Sequence, residues 1–371
     1  MTSKRKIIFI LGVVLVVISG VFLFWRYNTS TQSSGGAKIT EEQRSKLAIG
    51  VVKTTNFTNK TTILGYDKDL NLVVDVDFPF KNVGNFSSTT TFNEKSYFGQ
   101  VIGHAYKLNG NKILEISLKD FSFKTYEHEL YGLDLIAEND TNVFGYTNSK
   151  LTVLSKDGNN KKTIELKKAD IDMIFASEKN LFVIGSKAEN IEVDSKLSGK
   201  ILYIYDNELK LVKMIGLEKH GFYRYSKIGN KYYFANYEDS GDKNLIYIFD
   251  ENTFELKKVD LKAKNVLDII ISGDYYILGS GRYIHLNNGG ITFKNIKTGE
   301  EIFHKLESGA DKMFKIDNYL YVLHTFEDNK DIIAKYEING TEIKKVREVE
   351  VKIDKVLNDN QFVTGMFPFE K

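Results

Sequence analysis

Ile201-Leu202-Tyr203-Ile204-Tyr205-Asp206 and Leu245-Ile246-Tyr247-Ile248-Phe249-Asp250 are two copies of one phrase, with their aspartates 44 positions apart. Each follows a shorter apolar run, Leu181–Gly185 and Tyr232–Ala235. Working outward, a tight turn followed by three short apolar runs recurs from about residue 90 to the end of the chain, at a period of roughly 40 to 50 residues. That period predicts an all-β fold, a β-propeller. Runs such as Ile201–Tyr205 are apolar on both alternations, as expected of strands covered on both faces by neighbouring blades. A membrane β-barrel would show a polar, lumen-facing set instead.

The turns are marked by Asn109-Gly110, Asp157-Gly158, Gly229-Asn230, Gly273-Asp274 and Asn339-Gly340. Aligning them places six full blades at about 86–130, 132–167, 171–217, 222–261, 266–306 and 311–351. Two fragments remain, 353–366 and 51–80, and joining them in one sheet makes a seventh blade that removes the open edges of the array. An eight-bladed count stays open because the first half is less regular. A column of small residues (Gly99, Gly145, Gly185, Ala235, Gly279 and Gly365) marks the second strands, where blades crowd together. His324 takes that place in the sixth blade. It is a candidate channel-facing residue or a side chain that fills a wider gap.

Residues 7–25 carry no charge and are apolar but for Gly12, Ser19 and Gly20, long enough to cross a bilayer. Lys4, Arg5 and Lys6 precede this segment and Arg26 follows, so the positive-inside bias predicts residues 1–6 in the cytoplasm and the propeller outside. A cleaved secretory signal is the alternative, but the bulky run Phe22–Trp25 makes a poor cleavage site. Residues 26–47 read as a flexible linker rich in Ser, Thr and Gly, with a capping box at Thr40–Gln43, and residues 48–371 as the propeller. The chain has no cysteine, which fits an exported protein of a Gram-positive bacterium. The net charge is +2, and without the three cations of residues 1–6 it is −1. A near-neutral ectodomain excludes the basic stripe that nucleic acid requires.

These units, a short inner strand, a turn, an apolar strand and a run ending Tyr203-Ile204-Tyr205-Asp206 or Tyr247-Ile248-Phe249-Asp250, resemble the repeats of bacterial extracytoplasmic seven-bladed propellers of the YVTN and LVIVD-repeat kind. The resemblance covers about residues 86–366. It implies a fold and a cell-surface or periplasmic setting, and no particular reaction, since such repeats record blade packing.

Catalytic marks of propeller enzymes are missing from the sequence. Trp25, the single tryptophan, lies in the apolar segment, which excludes the tryptophan-per-blade quinone dehydrogenases and the sialidase box. No zinc-binding His-Glu-x-x-His, phosphate loop or EF-hand loop occurs. The histidines (His104, His128, His220, His285, His304 and His324) are scattered. The function expected is a membrane-anchored, non-catalytic binding or assembly platform for a protein or cell-envelope polymer. A lactonase-like or glycan-acting hydrolase with a site at one channel mouth is the alternative.

Two further features are candidates for contact. Phe78-Pro79-Phe80 and Phe367-Pro368-Phe369 hold both prolines of the chain and read either as an apolar clasp between the termini or as an exposed aromatic surface for a partner. Asp134, Asp172, Asp268, Asp311 and Asp354, with Arg224 in the remaining blade, form a column at the start of the innermost strands. Such a column would ring one channel mouth. Each Asp either bonds to turns of its own or the next blade, or the ring recruits a divalent cation, the one cofactor the sequence suggests.

Overall fold

The computed structural model describes residues 35–36, 39–55, 58–80, 89–92, 95–99, 112–127, 130, 132–219, 221–237, 244–281, 289–325, 330–353 and 361–369. Strands dominate, and consecutive strands pair antiparallel. Sheet I comprises Thr89–Phe92, Lys95–Gly99, Lys112–Ser117 and Ser122–Glu127, with Gly35–Gly36 added at its outer edge. Sheets II to VI follow in chain order, from Leu135–Glu138 to Lys161–Glu165, Ile171–Ala176 to Leu211–Gly216, Phe222–Ile228 to Leu256–Leu261, Val266–Ser272 to Glu301–Lys305, and Lys312–Ile316 to Glu342–Glu350. Sheet VII runs Phe362–Pro368, Ile49–Thr54, Thr61–Tyr66, Leu72–Phe78, with the last strand of the chain beside the first long one.

The expectation of seven like blades needs correction. Six sheets are regular four-stranded blades, whereas sheet I has five strands because Gly35 and Gly36 pair with Phe123 and Ser122. A stretch read as free linker thus supplies an edge strand. The helix expected beyond it forms over Glu41–Lys46, closed by the reciprocal Thr40–Gln43 capping box. No helix among the described residues is long and apolar enough to cross a membrane. Residues 7–25, where that segment was expected, lie outside the described residues.

The hydrophobic effect sets the arrangement. Second and third strands are buried on both faces, as in Asn142–Thr147 and Ile201–Asp206, while outermost strands such as Lys161–Glu165 expose most of their residues. Buried apolar clusters sit between sheets. Leu151 and Val153 of sheet II pack with Val183 and Tyr203 of III, Phe182 and Ile204 of III with Phe234 and Tyr247 of IV, and Ile246 of IV with Leu278 of V. Further clusters join V to VI, VI to VII, and VII to I, the last through Val76, Phe78, Leu114 and Ile116. Tyrosine hydroxyls add polar ties across the same interfaces. Tyr232 of sheet IV donates to the Ala176 carbonyl of III at 2.7 Å, and Tyr321 of VI donates to the Lys68 carbonyl of VII at 2.7 Å.

The column of small residues is explained by crowding at Gly145, Gly185 and Gly279 and misplaced at Gly365. A Cβ on Gly185 would come within 2.2 Å of Ile171 Cδ1, and one on Gly279 within 2.8 Å of the Ala310 carbonyl. Gly365 belongs instead to the innermost strand of sheet VII, whose second strand is Ile49–Thr54. The alignment slipped there by one strand because the sheet is assembled from both ends of the chain.

Candidate functional site

The innermost strands converge on the axis of the ring, and four of them are irregular, one being Phe362–Pro368, whose register shifts opposite Val52 and Lys53. Register shifts occur between Ile171 and Met173, between Phe222 and Tyr225, and between Val266 and Asp268. A bulge turns the side chain beside it out of the strand's alternation. It thereby re-aims Asp172, Arg224 and Asp268. Asp134 and Asp311 sit just before their strands instead, each donating its backbone N–H to the second strand, at the Tyr146 and Leu323 carbonyls. The expected ring is therefore not uniform.

Asp172 accepts from Lys200 Nζ at 2.6 Å and, through its other oxygen, from the Phe222 amide of the next sheet at 3.0 Å. Both members of that ion pair are nearly buried, with side-chain exposures of 9% and 10%. Burial raises the Asp172 pKa, against the pull of Lys200. Asp268 repeats the arrangement two interfaces on. It accepts from the Met313 amide of sheet VI at 2.7 Å and from its own neighbour, Ile269, at 3.0 Å. Two carboxylates of the column thus tie one innermost strand to the next. Asp134 accepts from Thr147 Oγ1 at 3.0 Å within its own sheet. Asp354 lies outside the described residues.

Between these strands lies a cavity of about 520 Å³ whose wall includes residues of the innermost strands of sheets II to VII. Arg224, Asp268, Lys312 and Lys315 supply its charge, and Met173, Ile174, Phe314 and Met366 are among its apolar members. Burial lowers the Arg224 pKa from its ordinary value, and Asp268 and Asp311 act in the opposite direction. Lys312 is depressed to about 7, by burial first and by the neighbouring Arg224 second. Sequence reading missed Lys312 because the alignment stopped at Asp311, one residue earlier.

The chain has the fold of a β-propeller. A protein from Lactobacillus plantarum solved by structural genomics superposes with a TM-score of 0.60 at 12% identity, covering 87% of this chain and 99% of that one. Kluyveromyces lactis Hsv2 superposes with a TM-score of 0.52 at 10% identity, covering 84% and 97%. Apo AztD from Citrobacter koseri aligns at a TM-score of 0.48 and 11% identity, covering 86% and 99%. At such identities the likeness speaks for the fold alone. No family model and no curated protein matches the sequence.

Of the remaining candidates among the described residues, Phe367 borders the axial cavity and the others lie away from it. His324 is 3% exposed, and its Nδ1 lies 2.6 Å from the Gly309 carbonyl and its Nε2 3.2 Å from the Tyr336 hydroxyl. It faces the sheet V to VI junction and not the axial cavity, and burial lowers its pKa. His304 contacts the Thr341 carbonyl at 2.7 Å on an outermost strand. The other four histidines lie outside the described residues. Phe78, Phe80, Phe367 and Phe369 are all buried in the cluster joining sheets VII and I. Phe80 packs edge-on against Phe123 at 5.3 Å, and Phe369 against Phe121 at 5.9 Å. These rings pack as a clasp at the closing interface, and Phe367 also borders the axial cavity. Among the described residues no group of three His, Asp or Glu side chains is placed to hold a metal ion.

Proposed function

We propose that this chain is a membrane-tethered, extracytoplasmic propeller whose axial cavity serves binding and not turnover, with sheet I counted as the seventh blade. The membrane segment is residues 7–25, and the partner is a protein or a cell-envelope polymer. The observation that carries the reading is the state of Asp268. Both of its oxygens accept backbone N–H bonds, one across the interface between sheets V and VI, so the carboxylate is a fixed structural acceptor and is poorly disposed to shuttle protons. Asp172 is fixed in the same way by Lys200 and Phe222. A wall of held charges beside apolar side chains suits recognition.

The test uses the full-length chain, immobilised in detergent and exposed to envelope extracts, with lactone and glycoside hydrolysis assayed in parallel. Retention of a defined protein or polymer, weakened by Lys312→Glu, is expected. Retention of nothing, together with hydrolysis, overturns the reading. Protease protection in intact cells checks the topology, and a propeller inaccessible from outside argues against the tether.

A further inference from the structure

We infer that the axial cavity is a receptor site for a small organic anion, a carboxylate or sulfonate carried on an apolar body. The inference deepens the platform reading, since it names the chemistry that the same site would accept. The cavity wall carries three cationic side chains, Arg224, Lys312 and Lys315, against one carboxylate, Asp268. That carboxylate is already occupied by two amide donors, at 2.7 and 3.0 Å. Asp311 acts electrostatically on Arg224 from outside the wall. Lys312 is buried beside Arg224 and Asp268, which act on it electrostatically in opposite directions. Its depressed pKa follows from burial beside Arg224, and a bound anion would relieve both effects.

The apolar members of the wall set the second requirement. Met173, Ile174, Phe314 and Met366 offer a surface that inorganic anions do not use, and about 520 Å³ accommodates a fused-ring or branched body. Recognition would combine the guanidinium fork of Arg224 with the point charge of Lys312.

The experiment is calorimetric titration of the full-length chain in detergent with 1-naphthoate, with its neutral amide, 1-naphthamide, and with sulfate. The charge of each probe is constant between pH 6 and pH 8.5. Naphthoate is expected to bind at pH 6 at least tenfold more tightly than naphthamide or sulfate, and to weaken several-fold at pH 8.5 as Lys312 loses its proton. The groups facing Lys312 are Arg224 of sheet IV and Asp268 of sheet V, with Lys315 on its own strand. Arg224→Met and Lys312→Met, each checked for native circular dichroism, should abolish the preference for naphthoate. Lys315→Gln should reduce it while disturbing the fold least. Equal binding of acid and amide, no binding of naphthoate at pH 6, or binding that survives in both Met variants overturns the inference. Loss of the probe site in a chain that still retains its envelope partner would sink this inference alone and leave the platform reading standing.

Discussion

The aspartate that ends each repeat phrase has a single physical job. Asp206 accepts from the Glu208 and Lys210 amides at 2.9 and 2.8 Å, and Asp250 from the Asn252 and Thr253 amides at 3.0 and 3.2 Å, closing the outer hairpin as an Asx turn. The same turn places Leu209 and Phe254 at positive φ, 55° and 56°. Asp250→Ala should therefore cost about 1 kcal/mol in urea denaturation. Tyr232→Phe, which removes only the hydroxyl bonded to Ala176, should also cost about 1 kcal/mol. Lys312 has the opposite character. In the unfolded chain it holds its proton to its ordinary value of 10.5, but in the fold only to about 7. Between those values the unfolded state binds the extra proton, so this residue makes stability rise with pH from about 7 to 10 and lowers it below 7. Urea midpoints at pH 6 and pH 8.5 should differ more in the native chain than in Lys312→Met, and identical slopes would refute the assignment. The spacing of the two aspartates was legible in the sequence, and their turn bonds show in the structure. Of the axial charges, Arg224 and Asp268 stood in the expected column, whereas Lys312 and Lys315 did not, because a column of one position per blade passes over their places on the same strand.

At the scale of elements, the strand runs, their turns and the joining of 353–366 with 51–80 could be read from period and polarity, since burial on both faces leaves an unbroken apolar signature. The strand order within sheet VII could not, because its innermost strand lies far from its partners in sequence and no local pattern records the pairing. Closure rests on that strand. A chain ending at Val351 would bare the edge of Ile49–Thr54 and remove Met366 and Phe367 from two clusters, and it should yield no soluble folded protein on size-exclusion chromatography. Phe369→Ala should cost about 3–5 kcal/mol as a buried aromatic, read by thermal or chemical unfolding. Gly185→Ala tests the crowding between blades. Its Cβ would fall within 2.2 Å of Ile171 Cδ1 and 2.8 Å of the Asp170 carbonyl, and a loss of about 1–3 kcal/mol is expected.

For the whole molecule, the fold class was legible from the repeat alone, whereas the character of the axis was not. An anionic ring suggested a divalent cation, but Asp172 and Asp268 direct their oxygens to Lys200 and to amides of neighbouring sheets, and the cavity between them is lined by more cations than carboxylates. Millimolar calcium or magnesium should accordingly leave the melting temperature unchanged, and a concentration-dependent rise would restore the cation reading. The two-ended sheet also sets a timetable. Gln361 bonds Thr62 across 299 positions of sequence, and Val51 pairs with Met366, so these contacts carry a large loop-closure entropy and follow those made within each blade. Until the closing strand arrives, the nascent chain is an open stack with two sticky ends. It is most exposed to pairing with another copy during that interval, and refolding yield should fall with protein concentration far more steeply than native stability does.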